Sequence, residues 1–156
     1  MNLKQISIYP FEKEDQADVK ALILVGLEEH WGQIDPTLNP DLDDIGTSYA
    51  DGTFLVAWHE EKIIGTGALI PRSEQCAEIV RMSVATSMRR RGVGQLVLQK
   101  LCQAAREQGF EQLSLETTAT WHGVVQFYKQ FGFEITHYEE SDFGPEAHFL
   151  LELESG

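Results

Sequence analysis

Basic residues are scarce in this chain. Its 156 residues include 12 Lys and Arg against 25 Asp and Glu, a formal net charge of −13. A surface of that sign repels phosphate backbones, so no nucleic-acid partner is expected. It favours small molecules that carry positive charge. Long apolar runs are also missing. No stretch reaches the roughly 18 residues that read as a bilayer span, so no membrane partner is expected. The start, MNLKQISIYPFEKEDQ, lacks a basic flank, an apolar run and a small-residue cleavage site, and does not read as a signal peptide. Cysteine is limited to Cys76 and Cys102. Two buried free thiols fit a reducing compartment, and the expected location is the cytoplasm. There is no internal repeat, low-complexity tract or interdomain linker. With 42% hydrophobic and 24% charged residues, the composition is that of a globular protein with a core of its own. A single domain over residues 1–156 is expected.

The few cations are unevenly placed. From Ala21 to Glu61 there is neither Lys nor Arg, while Glu28, Glu29, Asp35, Asp41, Asp43, Asp44, Asp51, Glu60 and Glu61 fall there. Arg72, Arg81, Arg89, Arg90, Arg91 and Lys100 make up half of the 12 cations.

Hydrophobic patterning supplies the elements. KQISIYP alternates and reads as a first strand. Asp15 to Trp31 reads as a helix with Ala17, Ala21, Leu24, Val25 and Leu27 on its buried side. Asn39 before Pro40 reads as the N-cap and first position of a short helix. TFLVAWHEEKIIGTGALIP is a hairpin, and CAEIVRMSV a fourth strand. Gly92 to Gln108 is the clearest helix, with Val93, Val97, Leu101 and Ala104 at the helical period and Gly109 as its stop. EQLSLETT, a helix from Trp121 to Phe131, then FEITHYEE and AHFLLELE complete the order β-α-α-β-β-β-α-β-α-β-β. That order implies an α/β fold: a mixed, mostly antiparallel sheet of about seven strands with helices on both faces.

Against the acidic background, Arg89, Arg90 and Arg91 stand directly before Gly92-Val93-Gly94, between a strand and a helix. Backbone N–H groups at a helix start converge on an anion, glycine lets it approach, and arginine adds charge-assisted contacts. The stretch is not a dinucleotide fingerprint, since Val97 stands where a third glycine is needed, and it lacks the Lys-Ser/Thr of a Walker loop. His30, His59, His122, His137 and His148 show no metal-ligand spacing, so no metal is expected. YEESDFGPE reads as a solvated loop.

RRRGVG matches the Arg/Gln-x-x-Gly-x-Gly/Ala signature of the GNAT superfamily of N-acetyltransferases, and FYKQFGF, Phe127 to Phe133, resembles that family's second signature. The order of elements resembles the family over nearly the whole chain. The resemblance implies acetyl-coenzyme A as cosubstrate, its pyrophosphate on the backbone of Arg89, Arg90, Arg91, Gly92, Val93 and Gly94, with Arg91 and Gln95 flanking. It implies that Met82, Ser83 and Val84 pair with the pantetheine arm and polarise the thioester carbonyl, across a splay between the fourth and fifth strands. Tyr128 resembles the family's general acid, a neutral phenol able to protonate the departing thiolate. Glu78 stands where some members carry a base, and Glu116 is the second candidate. Where many members have an asparagine seven residues before the tyrosine, this chain has Trp121.

The function implied is transfer of an acetyl group to a primary amine of a small molecule, or of a peptide or protein, by direct attack in a ternary complex. Amino acids, polyamines, aminoglycosides and protein N-termini all remain open as acceptors. The acidic stretch from Glu28 to Asp51 would draw a cationic acceptor. Family members are often dimers, so a homodimer is among the assemblies the resemblance implies. The rival reading is a noncatalytic coenzyme A-binding or sensing module, and the presence of Tyr128 and a strand carboxylate speaks against it.

Overall fold

The computed structural model describes residues 5–32, 39–142 and 144–153. Asp35 of the acidic stretch, Lys4 of the first strand segment, Glu154 of the last and the side chain of His30 lie outside the described residues. The elements are β1 (Ile6–Pro10), α1 (Gln16–Trp31), α2 (Ile45–Ser48), β2 (Thr53–His59), β3 (Lys62–Pro71), β4 (Cys76–Val84), α3 (Val93–Glu107), β5 (Gln112–Thr118), α4 (His122–Phe131), β6 (Glu134–Ser141) and β7 (Gly144–Glu152). This is the order that the patterning predicts.

The strands form a seven-stranded sheet in the order β1-β2-β3-β4-β5-β7-β6. The β1–β2, β2–β3, β5–β7 and β6–β7 ladders are antiparallel, and β4–β5 is parallel. The β4–β5 register pairs Cys76–Glu78 with Gln112–Ser114. Among the described residues no helix is long and apolar enough to cross a membrane.

The chain forms two compact units: Met1–Ile70 with Val80–Leu101, and Pro71–Ile79 with Cys102–Gly156. In the first, Val19, Ile23, Leu42, Ile45, Tyr49, Phe54, Val56 and Ala68 form a closed apolar cluster. The buried side of α1 is therefore set by Val19 and Ile23, one helical turn apart. Ala17, Ala21 and Val25 are exposed, against expectation. ALILVGL is apolar nearly all round, so its periodicity did not single out a face; the packing against Leu42 and Ile45 does.

Asn39 and Pro40 begin a short 3-10 turn, Pro40–Asp43, as the Asn-Pro pair suggests, but the asparagine side chain caps nothing there. The carboxylate of Asp44 instead accepts from the N–H of Thr47 and caps the single turn α2. Cys102 is buried and Cys76 only half-buried; both are free thiols.

Helix α3 packs closely on β3 because Gly67 presents no side chain to it. A Cβ placed on Gly67 would lie 2.6 Å from Met82 Sδ, 2.7 Å from Val97 Cγ1 and 2.9 Å from Leu101 Cδ1. Of the predicted stripe, Val93, Val97 and Leu101 are fully buried; Ala104 is only half-buried, and the neighbouring Ala105 takes the buried position. Gly67→Val should overpack the contact and destabilise the protein by about 2 kcal/mol. Denaturant unfolding that gives an unchanged midpoint would show that α3 can retreat without cost.

Candidate active site

The turn that opens α3 is built from unusual backbone. A 3-10 turn, Thr86–Met88, follows β4, and then Arg90 (φ 63°) and Gly92 (φ 86°) both adopt left-handed conformations. Glycine takes this freely; an arginine does so only where its surroundings hold it. Those surroundings are visible. Arg89 donates to the carbonyl of Val84 (3.2 Å) and forms an ion pair with Glu29 of α1, which also accepts from the Thr86 hydroxyl. Within α3 the N–H of Leu96 donates to Gly92 O (3.1 Å). The N–H groups of Val93, Gly94 and Gln95 precede it, in the turn where no intrahelical acceptor exists. Arg90, Arg91 and Gln95 are exposed beside them, while the Val93 side chain is core.

The half-buried segment Met82-Ser83-Val84 lies in the same unit, at the end of β4. Arg81, in mid-strand, has φ 55°. Its carbonyl accepts from the Thr66 hydroxyl (2.8 Å). Its guanidinium grips Asp41 through two hydrogen bonds, Nε–Oδ2 at 2.9 Å and Nη2–Oδ1 at 2.7 Å, and reaches Asn39 Oδ1 at 3.1 Å. Tyr49 donates to the same Asp41 carboxylate at 2.6 Å. Burial pushes the Asp41 carboxyl upward, but Arg81 and Tyr49 outweigh it and its pKa is lowered. Burial first, then Asp41, push Tyr49 up to about 12. A left-handed residue inside a strand bends it, as at a β-bulge, and re-aims the residues that follow.

Three of the acidic residues expected to draw a cationic acceptor are thus engaged within the fold. Asp41 holds Arg81, Asp43 pairs with Lys20 at 2.7 Å, and Asp44 caps α2.

In the second unit, Tyr128 on α4 is 6% exposed. Its ring meets Phe127 and Phe133 edge-on (centroids 5.1 and 5.7 Å) and lies tilted against Phe149 at 5.8 Å. Gly132, at φ 128°, ends α4 and lets Phe133 turn back onto the tyrosine, its N–H on Tyr128 O at 3.0 Å. That is the physical content of the FYKQFGF motif. Burial raises the phenol pKa above its ordinary value, so the group stays protonated. Trp121 is half-buried at the N-cap position of α4, its N–H on Thr118 O at 3.1 Å.

Glu78 and Glu116 line one cavity of about 260 Å³ with Arg72, Ser114, Thr136, His137, His148 and others. Glu78 accepts from Arg72 Nε at 2.6 Å and is largely shielded. Glu116 is half-exposed, and its pKa is raised by desolvation and then by the carboxylates of Glu146 and Glu78.

Residues 17–133 match the family model of the acetyltransferase (GNAT) family. The chain belongs to that family. A relative, the uncharacterized N-acetyltransferase YsnE of Bacillus subtilis, is 37% identical over 84 residues, 53% of this chain and 56% of its own. The chain matches about half the length of the first curated relatives, with 48% and 49% for two mammalian N-acetyltransferases of family 8. A GNAT acetyltransferase from Staphylococcus aureus shares the fold at a TM-score of 0.85, with 22% identity over 96% of this chain and 99% of that one. A GNAT acetyltransferase from Elizabethkingia anophelis, solved with acetyl-CoA bound, has a TM-score of 0.71 and 20% identity over 96% and 99%.

For a GNAT chain, the sequence reading named the turn and the tyrosine but missed Arg81. A lone arginine inside the apolar run CAEIVRMSV is its only signal, because the partners Asn39 and Asp41 lie about forty residues away. It also missed that His137 and His148 stand directly opposite each other across β6 and β7.

Proposed function

We propose that this GNAT chain is an acetyl-CoA-dependent N-acetyltransferase that acts on a primary amine of a small molecule. The reading rests chiefly on the turn that opens α3. There Arg90 and Gly92 in left-handed conformations precede the first N–H groups of α3, which have no intrahelical acceptor, with two exposed arginines in an otherwise anionic chain. That combination suits a pyrophosphate. The acceptor is cationic in solution, drawn by the net charge of −13; with Asp41, Asp43 and Asp44 engaged internally, the attraction comes from the whole surface. The chain works as one domain in the cytoplasm, and a homodimer is the proposed assembly.

In this mechanism the N–H groups of Val93, Gly94 and Gln95, with Arg90 and Arg91, bind the pyrophosphate. The backbone of Met82, Ser83 and Val84, set by the bend at Arg81, lies along the pantetheine arm and donates to the thioester oxygen as charge develops there. Glu78, oriented by Arg72, accepts a proton from the amine, directly or through water. The amine nitrogen forms its bond to the acetyl carbon, the carbon–sulfur bond breaks, and Tyr128 gives its proton to sulfur. Glu116 faces His148 and is not assigned the base.

Thiol release from acetyl-CoA over a panel of amines tests the activity. Coenzyme A binding without turnover of any amine would make the chain a binding module instead. The anion site has its own test. Gly94→Val places a branched side chain in the first turn of α3 and should weaken coenzyme A binding about tenfold, the loss of one contact of roughly 1.4 kcal/mol. Calorimetry giving the wild-type Kd with the folded variant would remove the pyrophosphate from this turn.

A further inference from the structure

We propose that His137, His148 and Glu139 form a binding site for a divalent transition-metal ion of the zinc class on β6 and β7. The histidines lack ligand spacing in the sequence, but the hairpin pairs them. His137 and His148 are register partners, and their rings stack at 4.4 Å with an interplanar angle of 13°. Both Nε2 atoms face one carboxylate: His137 Nε2 lies 3.0 Å from Glu139 Oε1, and His148 Nε2 lies 3.5 Å from Glu139 Oε2. Glu116 Oε2 stands 3.5 Å from the same His148 nitrogen.

Two ligand atoms each about 2.0–2.1 Å from a tetrahedral ion stand about 3.3 Å apart, so these separations are within reach of one ion. An imidazole binds through a lone pair in its ring plane, so binding turns one of the two stacked rings about χ2 toward the ion. The ligand set, two imidazoles and a carboxylate, suits zinc or its neighbours better than calcium or magnesium.

Two further observations favour a cation there. His148 Nε2 is buried and, among the described residues, has no hydrogen-bond partner, while two carboxylates stand 3.5 Å from it. Carboxylates also face each other: Glu139 is the register partner of Glu146, and Glu146 lies with Glu116 and His148 in a second ligand-sized group. Like charges directly opposed across strands destabilise a sheet.

The shell behind the ligands is built too. The register shifts between Ile135 and His137, so Thr136 sits at a bulge. Its hydroxyl donates to His148 O at 3.3 Å and lies 2.9 Å from His137 Nδ1. With its proton directed to the carbonyl, that oxygen accepts from Nδ1–H. The tautomer left is the one whose Nε2 lone pair is free for a metal.

The test is calorimetric titration of chelator-treated full chain with ZnCl₂, and Co²⁺ absorption on the same protein. We expect one Zn²⁺ per chain, a rise in Tm with saturation, and Co²⁺ bands without thiolate charge transfer. His137→Gln and Glu139→Gln, both exposed and so expected to fold, should weaken binding on the order of tenfold or more. Thr136→Val, which keeps every ligand, should also weaken it. Absence of saturable equimolar uptake, an unchanged affinity in His137→Gln, or a Co²⁺ spectrum assigning the ion to Cys76 or Cys102 would overturn the site.

Discussion

Tyr128→Phe is expected to lower kcat for acetyl transfer about 10²-fold, with little change in KM for either substrate and no loss of stability. The phenol is buried among Phe127, Phe133 and Phe149, so phenylalanine keeps the packing and deletes one oxygen. A positioned acid contributes about 10²–10⁴ in rate, and a thiolate is a tolerable leaving group, which places the effect at the low end. An interaction made only in the transition state lowers kcat and kcat/KM equally. Because burial raises the phenol pKa, the rate should not fall through phenol ionisation below pH 10, the ordinary tyrosine value. Full kcat in Tyr128→Phe, with chemistry shown to be rate-limiting, would leave Tyr128 a packing residue.

What the sequence carried about this fold is the order of elements, because each strand or helix advertises itself locally. α3 shows this well: Val93, Val97 and Leu101 sit at one period, and all three are buried. α1 shows the limit, since an apolar run that nearly encircles a helix gives no local hint of which side will be covered. The site divides the same way. The glycine turn and Tyr128 are local motifs, with backbone geometry that follows from Gly92 and Gly132. Arg81 with Asp41, and His137 with His148, depend on strand register and loop placement, which no spacing along the chain reveals. Glu78 could be named as a strand carboxylate, but its grip by Arg72 required the β3–β4 turn to be in view.

Arg81→Met should destabilise the protein by about 3 kcal/mol, the low end for breaking a buried pair, because both partners keep some contact with solvent. The stem of methionine replaces the packing, while Asp41 loses its cation and keeps the Tyr49 hydroxyl. The pH dependence identifies the cause. Asp41 has a lowered pKa in the folded state, so its pairing contributes stability above the unfolded value, near 3.9, and loses it as pH falls through the folded one. The gap between wild type and Asp41→Asn should therefore be constant from neutral pH to about pH 5 and close below pH 4. Tyr49 has the opposite sign: raised to about 12, it contributes stability below pH 10, lost only as pH rises through 12, and adds nothing to the acid limb. The same variant reports on function. Without the guanidinium anchor the left-handed residue keeps the Thr66 hydroxyl on its carbonyl, and the bend that sets Met82–Val84 should relax. Arg81→Met is then expected to raise KM for acetyl-CoA several-fold at a temperature where it is fully folded, and Thr66→Val to add to that effect. Wild-type KM in a folded Arg81→Met would separate the bend from the pantetheine arm and make the Arg81–Asp41 pair a matter of stability alone.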